Sequence, residues 1–434
     1  MFSQLFGKYL VEHEVISQDV LTNILKEQSN ARVKLGTIAV ADGMMTEKQA
    51  EEINHLQTQM DKRFGDIAVE QKYLTEDQVS LLLKKQGNVA MKFYQLLTDM
   101  AGLTLTDIDK NLSDFQAANG FTDSELEALK EEDIDKLIPL FAATMNPLVT
   151  GLAGLVLRNI TRFVTTDFYP GRMHKAKDYE YTVLAGQISK GDKFLYLGFA
   201  AQNDMDGIIE LAKGFARGTA ISGSDEIYDA VSEFANLNNG LFASESSKTG
   251  LNIDMLPPVV YLNQHITGTV YTMPVYIHDK VVNVLISVDE TMEPGNTPHT
   301  VELKKSDSTV SSDSSKGRVM IVDDSSLIRK MLRGLLENNG YTVAAEAVNG
   351  AEAVEMYDNV KPDVVTLDIT MPVMDGVEAL KQIKAKDAKA NVIMITAAGQ
   401  QDKVVEALKS GANLFIMKPF NEEDVIKNFE NVLK

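Results

Sequence analysis

The sequence predicts a multidomain chain: N-terminal helical repeats, a central α/β or α+β domain with a substantially antiparallel sheet, and a C-terminal α/β domain on a doubly wound, five-stranded parallel sheet. Three observations predict it. A 29-residue period recurs three times within the first 86 residues, residues 142 to 290 interleave helical and alternating strand-like segments, and beyond Gly317 five apolar runs alternate with five helical ones. A length of 434 residues agrees with several cores, at about 150 residues per domain.

The repeats come first, over residues 1–88. Gly7, Gly36 and Gly65 are in register with Val11, Val40 and Val69, with Ser17, Thr46 and Thr75, and with Gln28, Gln57 and Gln86. Ser17, Thr46 and Thr75 stand where an N-cap belongs, and the apolar positions after them (Leu21, Ile24, Leu25; Val79, Leu82, Leu83) fall at helical spacing. Each unit is therefore a short helix, a turn and a capped longer helix. Residues 89–138 read as a helical acidic connector whose Glu131, Glu132, Asp133 and Asp135 form a solvated face. Ile138 to Leu157 is uncharged for twenty residues, long enough to span a bilayer, but Pro139, Asn146, Pro147 and two glycines point to a buried amphipathic helix instead.

The central domain, residues 139–290, begins with a helix over 145–163. Strands follow at YEYTVLAGQI and DKFLYLGFA, then a helix over 225–244 and strands at TVYTMPVYI and VVNVLISVD. Residues 291–316, rich in Ser, Thr and Asp, read as a flexible linker. In residues 317–434 the strands are VMIV, YTVAAEA, VVTLD, NVIMIT and LFIM, with helices starting near Ser325, Ala351, Val377, Gln401 and Glu422.

Composition narrows the function. The charge of 42 minus 62, or −20, opposes binding of nucleic acid and of anionic membrane surfaces, and no basic recognition helix follows the last domain. The absence of cysteine excludes disulfides, thiolate catalysis and Cys-ligated metal, and fits a cytoplasmic location. MFSQLFGKYLVEHE does not read as a secretory signal, and no membrane insertion is expected.

In a doubly wound sheet, ligands bind beyond the carboxyl ends of the strands. Here those ends carry Asp323 and Asp324, Asp368, Thr396, and Lys418 followed by Pro419. A single acid of this kind would merely cap a helix, as Asp324 could before SSLIRK. Several carboxylates converging in one crevice resist ionisation unless a hard divalent cation sits among them, so Mg²⁺ is the implied cofactor. A carboxylate beside Mg²⁺, with a lysine and a hydroxyl nearby, is equipped to attack a phosphoryl group.

From VMIVDD through VVTLDITMPVMDG and IT to KPF, residues 318–434 resemble a response-regulator receiver domain of the CheY type. The resemblance implies that Asp368 is the phospho-acceptor, with a histidine kinase as donor. It makes Asp323, Asp324 and the Thr370 carbonyl, with Asp368, the metal ligands. Thr396 and Lys418 become the phosphoryl contacts, Phe415 the aromatic switch, and Lys418-Pro419 a cis peptide bond.

Glu233 and Asn236 lie three apart on one helix face. The same spacing begins at Glu27, Glu51, Glu293 and Glu346, so alone it means little. With the Asn-Asn-Gly step and GLNIDMLPP after it, the segment resembles the CheX/CheC/FliY chemotaxis phosphatases, over roughly residues 140–290. That resemblance implies that Glu233 contacts a receiver's lysine and Asn236 orients the attacking water, the receiver being this chain's own or that of a CheY-like protein. It also implies one site per chain and a homodimer. The repeats, with Lys34-Leu35-Gly36 and Arg63-Phe64-Gly65, resemble the MshEN motif of type II secretion and pilus ATPases, which binds cyclic-di-GMP. Lys34, Gly36, Gly43, Arg63 and Gly65 would be the contacts, although the first repeat has Leu5 at the basic position and Glu14 and Lys72 replace the second glycine. A helical module for protein contacts is the alternative. Together these readings describe a two-component signalling protein whose CheX-like domain hydrolyses phospho-aspartate. The rival is a non-enzymatic adaptor in which that domain only binds or dimerises.

Overall fold

The computed structural model describes residues 1–28, 34–59, 64–85, 88–142, 144, 146–290, 292–299, 315–396, 401–418, 420 and 422–433. The chain divides into two units, one of residues 1–140 with 167–169, the other of residues 141–166 with 170–434.

The first unit is helical. The three repeats are the helix pairs α1 (Phe2–Glu12) and α2 (Gln18–Glu27), α3 (Leu35–Ala41) and α4 (Glu47–Gln59), α5 (Phe64–Glu70) and α6 (Glu76–Lys85). Ser17 Oγ accepts from the Val20 amide, and Thr46 and Thr75 accept from the amides of Gln49 and Gln78, whose side-chain oxygens accept from the Thr46 and Thr75 amides in return. Between the helices, Glu14, Gly43 and Lys72 all turn left-handed, with φ of 58°, 67° and 60°. The Met44 amide then reaches back to the Ala39 carbonyl at 2.8 Å, as Val15 does to Leu10 and Tyr73 to Ala68. Gly43 is the residue for which that conformation costs least, which gives it a backbone role.

The other repeated glycines serve packing. A Cβ on Gly7 would lie 2.3 Å from Leu21 Cδ1, and one on Gly65 would lie 2.8 Å from Val79 Cγ1. Leu21 and Val79 are equivalent, each four residues past the cap. In the second repeat that position is Ala50, and Phe64 of the next repeat fills the space, 2.9 Å from a Cβ on Gly36.

Residues 89–138 are no separate connector. α7 (Val89–Ala101), α8 (Leu105–Asn119), α9 (Asp123–Glu131) and α10 (Ile134–Phe141) follow at once, and α7 packs on α1, α2 and α3. Phe93, Leu97, Ile108, Phe115 and Leu129 are buried, and Phe115 meets Phe6 with ring centroids 5.4 Å apart. The apolar stripe of each helix prevailed over the acids: Glu131, Asp133 and Asp135 lie outward, where Asp133 pairs with Lys136 at 2.9 Å, but Glu132 accepts from the buried Met1 ammonium at 2.7 Å.

In the second unit, the uncharged run is broken. Its later part is α11 (Pro147–Phe163), capped by Asn146, and among the described residues no helix is long and apolar enough to cross a membrane. The strands are β1 (Phe168–Pro170), at the division between the units, β2 (His174–Lys177), β3 (Glu180–Gly191), β4 (Leu195–Ala201), β5 (Ile253–Met255), β6 (Val259–His265), β7 (Thr267–Ile277), β8 (Lys280–Val288), β9 (Met292–Glu293) and β10 (Pro298–His299). They build an antiparallel sheet in the order β7-β8-β4-β3-β6-β10, with β2 and β9 on β7 and β5 on β3. β9 and β10 correct the predicted linker: residues 292–299 belong to the sheet, while 300–314 lie outside the described residues. α12 (Asp206–Phe215) and β6 were not foreseen. α13 (Ser224–Ser247), 24 residues long, packs on β3 and β4.

The C-terminal sheet has β11 (Arg318–Val322), β12 (Thr342–Ala347), β13 (Val364–Asp368), β14 (Val392–Thr396) and β15 (Leu414–Met417), all parallel, in the order β12-β11-β13-β14-β15. α14 (Ser326–Asn338) and α18 (Glu422–Val432) share a core on one face through Leu332 and Phe429. α15 (Gly350–Val360), α16 (Gly376–Lys386) and α17 (Gln401–Lys409) share the other through Tyr357, Leu380 and Ala407. Strand order reverses between β11 and β13, which opens a crevice at their carboxyl ends.

Gly36→Val should lower the stability of the full chain by about 1–3 kcal/mol, because Phe64 has little room to yield. Thermal unfolding measures this; an unchanged midpoint would remove the packing role.

Candidate functional site

Four strand ends supply the site. Asp323 follows β11 and is fully buried; its Oδ1 accepts from the Ser325 amide at 2.9 Å. Arg329 reaches back from α14 to the carbonyls of Asp323 and Asp324, at 2.7 and 3.1 Å, and holds the acidic turn. The cap of α14 is Ser325, whose Oγ accepts from the Ile328 amide, so Asp324 does not have the capping role its position suggested. Asp368 ends β13, close against α16: a Cβ on Gly376 would lie 1.9 Å from the Asp368 carbonyl oxygen. Thr396 ends β14, and its carbonyl accepts from the Lys418 amide at 2.8 Å, which brings Lys418 beside the acids.

The Lys418 ammonium is 2.9 Å from Asp323 Oδ2 and 3.5 Å from Asp368 Oδ1. A third acid arrives from the antiparallel domain: Glu233 Oε2 lies 3.9 Å from the same nitrogen. Glu233 belongs to a stripe on α13. Glu226, Asp229, Glu233 and Asn236 are spaced three, four and three apart, so they share one helix face. Glu226 pairs with Lys330. Asp229 Oδ2 accepts from Ser325 Oγ at 3.1 Å, Ser326 Oγ at 2.8 Å and the Leu327 amide at 2.8 Å, which caps α14 from another domain and sets a carboxylate at the positive end of its dipole. Asn236 and Glu233 line one cavity together with Lys418, Ile328, Phe215 and Phe420.

Crowding of acids sets the electrostatics. Burial, followed by the Asp323 charge and opposed by Lys418, pushes the Asp368 carboxyl up to about 7. Burial pushes Glu233 up to about 8, against the pull of Lys418. Asp324 is held well above the usual carboxylate range by burial, then by Asp323 and Asp368. Burial opposes the charge of Lys418, but Asp323, Asp368 and Glu233 outweigh it and keep the ammonium protonated.

Asp323, Asp324 and Asp368 bring carboxylate oxygens within 4.8 Å of one another. Three hard oxygen donors this close together fit a divalent cation such as Mg²⁺, which would neutralise them and the oxygens of a phosphoryl group. Thr370 is half-buried two residues beyond Asp368. Phe415 is half-buried in β15, opposite Met394, and packs on the core beneath the site. Pro419 lies outside the described residues, and with it the expected cis peptide bond.

Of the residues expected to hold a dinucleotide, the described ones are engaged in the fold. Gly36 and Gly65 are buried in helix contacts, Gly43 serves a turn, and Lys34 pairs with Asp99 at 3.2 Å; Arg63 lies outside the described residues. Sequence reasoning also passed over Asp229 and Glu226. Their signal was available: both precede Glu233 at helical intervals, by four and seven residues.

A parallel sheet with an acid pair, a third acid, a hydroxyl and a lysine at successive strand ends defines a phospho-acceptor receiver of a two-component system. The chain belongs to the response-regulator receiver family: the family model described as response regulator receiver domain matches residues 319–430. The chemotaxis protein CheY of Listeria monocytogenes is 53% identical over 117 residues, 27% of this chain and 98% of that protein. The chemotaxis protein CheY of Bacillus subtilis is 50% identical over 116 residues, 27% of this chain and 97% of that protein. The crystal structure of the CheX-CheY-BeF3-Mg+2 complex from Borrelia burgdorferi contains a chain 40% identical to this one, with 27% of this chain and 89% of that chain covered and a TM-score of 0.26.

Millimolar Mg²⁺ should raise the thermal midpoint of the full chain by a few degrees, and EDTA should reverse the rise. Asp324→Asn should abolish it; a rise that persists in that variant would refute the assigned ligands.

Proposed function

We propose that the central domain is a CheX-like phospho-aspartate phosphatase that acts on the receiver of its own chain, and that a histidine kinase loads that receiver at Asp368. The approach of Glu233 to Lys418, 3.9 Å apart in the cavity that Asn236 also lines, carries the reading. The stripe of Glu226 and Asp229 on α14 supports it, since it sets α13 in one register across the receiver.

In the loading step an Asp368 oxygen forms a bond to the phosphorus of a phosphohistidine or an acyl phosphate, and the bond from phosphorus to the donor breaks with its electron pair left on the donor. Lys418 draws in the phosphoryl oxygens, and Mg²⁺ at Asp323 and Asp324 would supply the remaining countercharge. In the hydrolytic step a water oxygen bonds to phosphorus opposite Asp368. The bond from phosphorus to the Asp368 oxygen breaks, its electron pair returns to the carboxylate, and both protons of the water leave on inorganic phosphate. Glu233 holds Lys418 in position for this step. Asn236 holds the water in line, and its amide needs no titration to do so. The repeats are a helical module for protein contacts.

Full-length protein treated with acetyl phosphate and Mg²⁺ should take a label that Asp368→Asn does not. Asn236→Ala should lengthen the life of that label about tenfold to a hundredfold, the range expected from misplacing a nucleophile. Labelled wild type and Asn236→Ala decaying at one rate would leave a docked adaptor without phosphatase activity.

A further inference from the structure

We propose that Gln187, in the middle of β3, is a positioning residue that fixes the Asn236 amide and turns its nitrogen toward the cavity; the inference rests on the phosphatase reading. Gln187 is 2% exposed. An amide buried this deeply is costly unless its polar atoms are bonded, and here they are. Its Nε2 donates to the Leu256 carbonyl at 2.7 Å and to Asn236 Oδ1 at 2.9 Å, and its Oε1 accepts from Asn239 Nδ2 at 2.8 Å.

The orientation of the whole relay follows from one group that can only accept. A backbone carbonyl has no proton, so the Leu256 oxygen must face the nitrogen of Gln187. The Gln187 oxygen is then left for the NH₂ of Asn239, and its second N–H requires an oxygen, which Asn236 presents. The Asn236 nitrogen is therefore the arm left for the cavity, where an N–H can hold a water oxygen by one lone pair while the other attacks. Asn236 and Asn239, three apart on α13, straddle Gln187. The Leu256 carbonyl is itself anchored: its amide donates to the Ile188 carbonyl at 3.0 Å, and Pro257 and Pro258 follow it. Proline restricts the residue before it to extended backbone, so the LPP segment delivers a fixed acceptor to Gln187.

Without Gln187 the Asn236 side chain regains the two χ1 wells open on a helix and two amide faces, about four states where the relay holds one. The test is a double-mutant cycle on the full chain, reading loss of the Asp368 label in wild type, Gln187→Leu, Asn236→Ala and the double variant, with the thermal midpoint followed alongside. Gln187→Leu is expected to slow loss of label about three- to fivefold in the wild-type background, and not at all in the Asn236→Ala background. Slowing by the same factor in both backgrounds would overturn the proposal, because Gln187 would then act through the fold. So would loss at the wild-type rate in Gln187→Leu where Asn236→Ala is slow. If Asn236→Ala is itself as fast as wild type, the phosphatase reading fails first. Gln187→Met, closer in length, replaces Gln187→Leu in the cycle if the leucine variant does not fold.

Discussion

The ammonium of Lys418 is the constraint on which the remainder of the second unit depends. It meets Asp323 from the end of β11, Asp368 from the end of β13 and Glu233 from α13, at 2.9, 3.5 and 3.9 Å. Removing so many charges from water is expensive, and a buried ion pair seldom stabilises a fold in proportion to its Coulomb energy. What such a cluster does instead is fix geometry. Three acids can share one ammonium only if β11, β13 and β15 run parallel with their ends level, and only if α13 crosses them in a single register.

That register is set by helix periodicity. Glu226, Asp229, Glu233 and Asn236 make one stripe, while Val231, Phe234 and Ala235, on other faces of the same helix, are buried. α13 thus serves two surfaces, one packed on the antiparallel sheet and one turned to the receiver. Asp229 completes the match because the first amides of α14 have no partner within their own helix. Ser325 satisfies Ile328, and Asp229 satisfies Leu327. Removal of Asp229 would leave a helix end and two serine hydroxyls seeking other partners.

Much of this was legible in the chain. Alternation of strand and helix, acids and a lysine at strand ends, and a glycine every 29 residues in the first repeats are local patterns, so the five-stranded receiver, the strand ends that carry Asp323, Asp368 and Lys418, and the helix pairs could be read directly. Asp229 and Gln187 were not, for different reasons. Asp229 was within reach of periodicity, but its partners are nearly a hundred residues away. Gln187 lies in a strand among apolar neighbours, and nothing in a strand's alternation distinguishes a glutamine that orients another side chain from one that faces solvent. The acidic stretch after Gly87 misled because charge marks the outer face of a helix and does not disclose what its inner face covers.

The sequence by itself determined what each element is and which chemistry it carries: caps, periods and strand ends depend on neighbours a few residues apart. Only the tertiary structure decided which chemistries meet. Glu233 and Lys418 are 185 residues apart, and no local rule states that they share a cavity. Nor does any local rule decide which arm of Asn236 faces that cavity. The contact of a helix in one domain with a strand end in another settles the first, and the carbonyl of Leu256 settles the second.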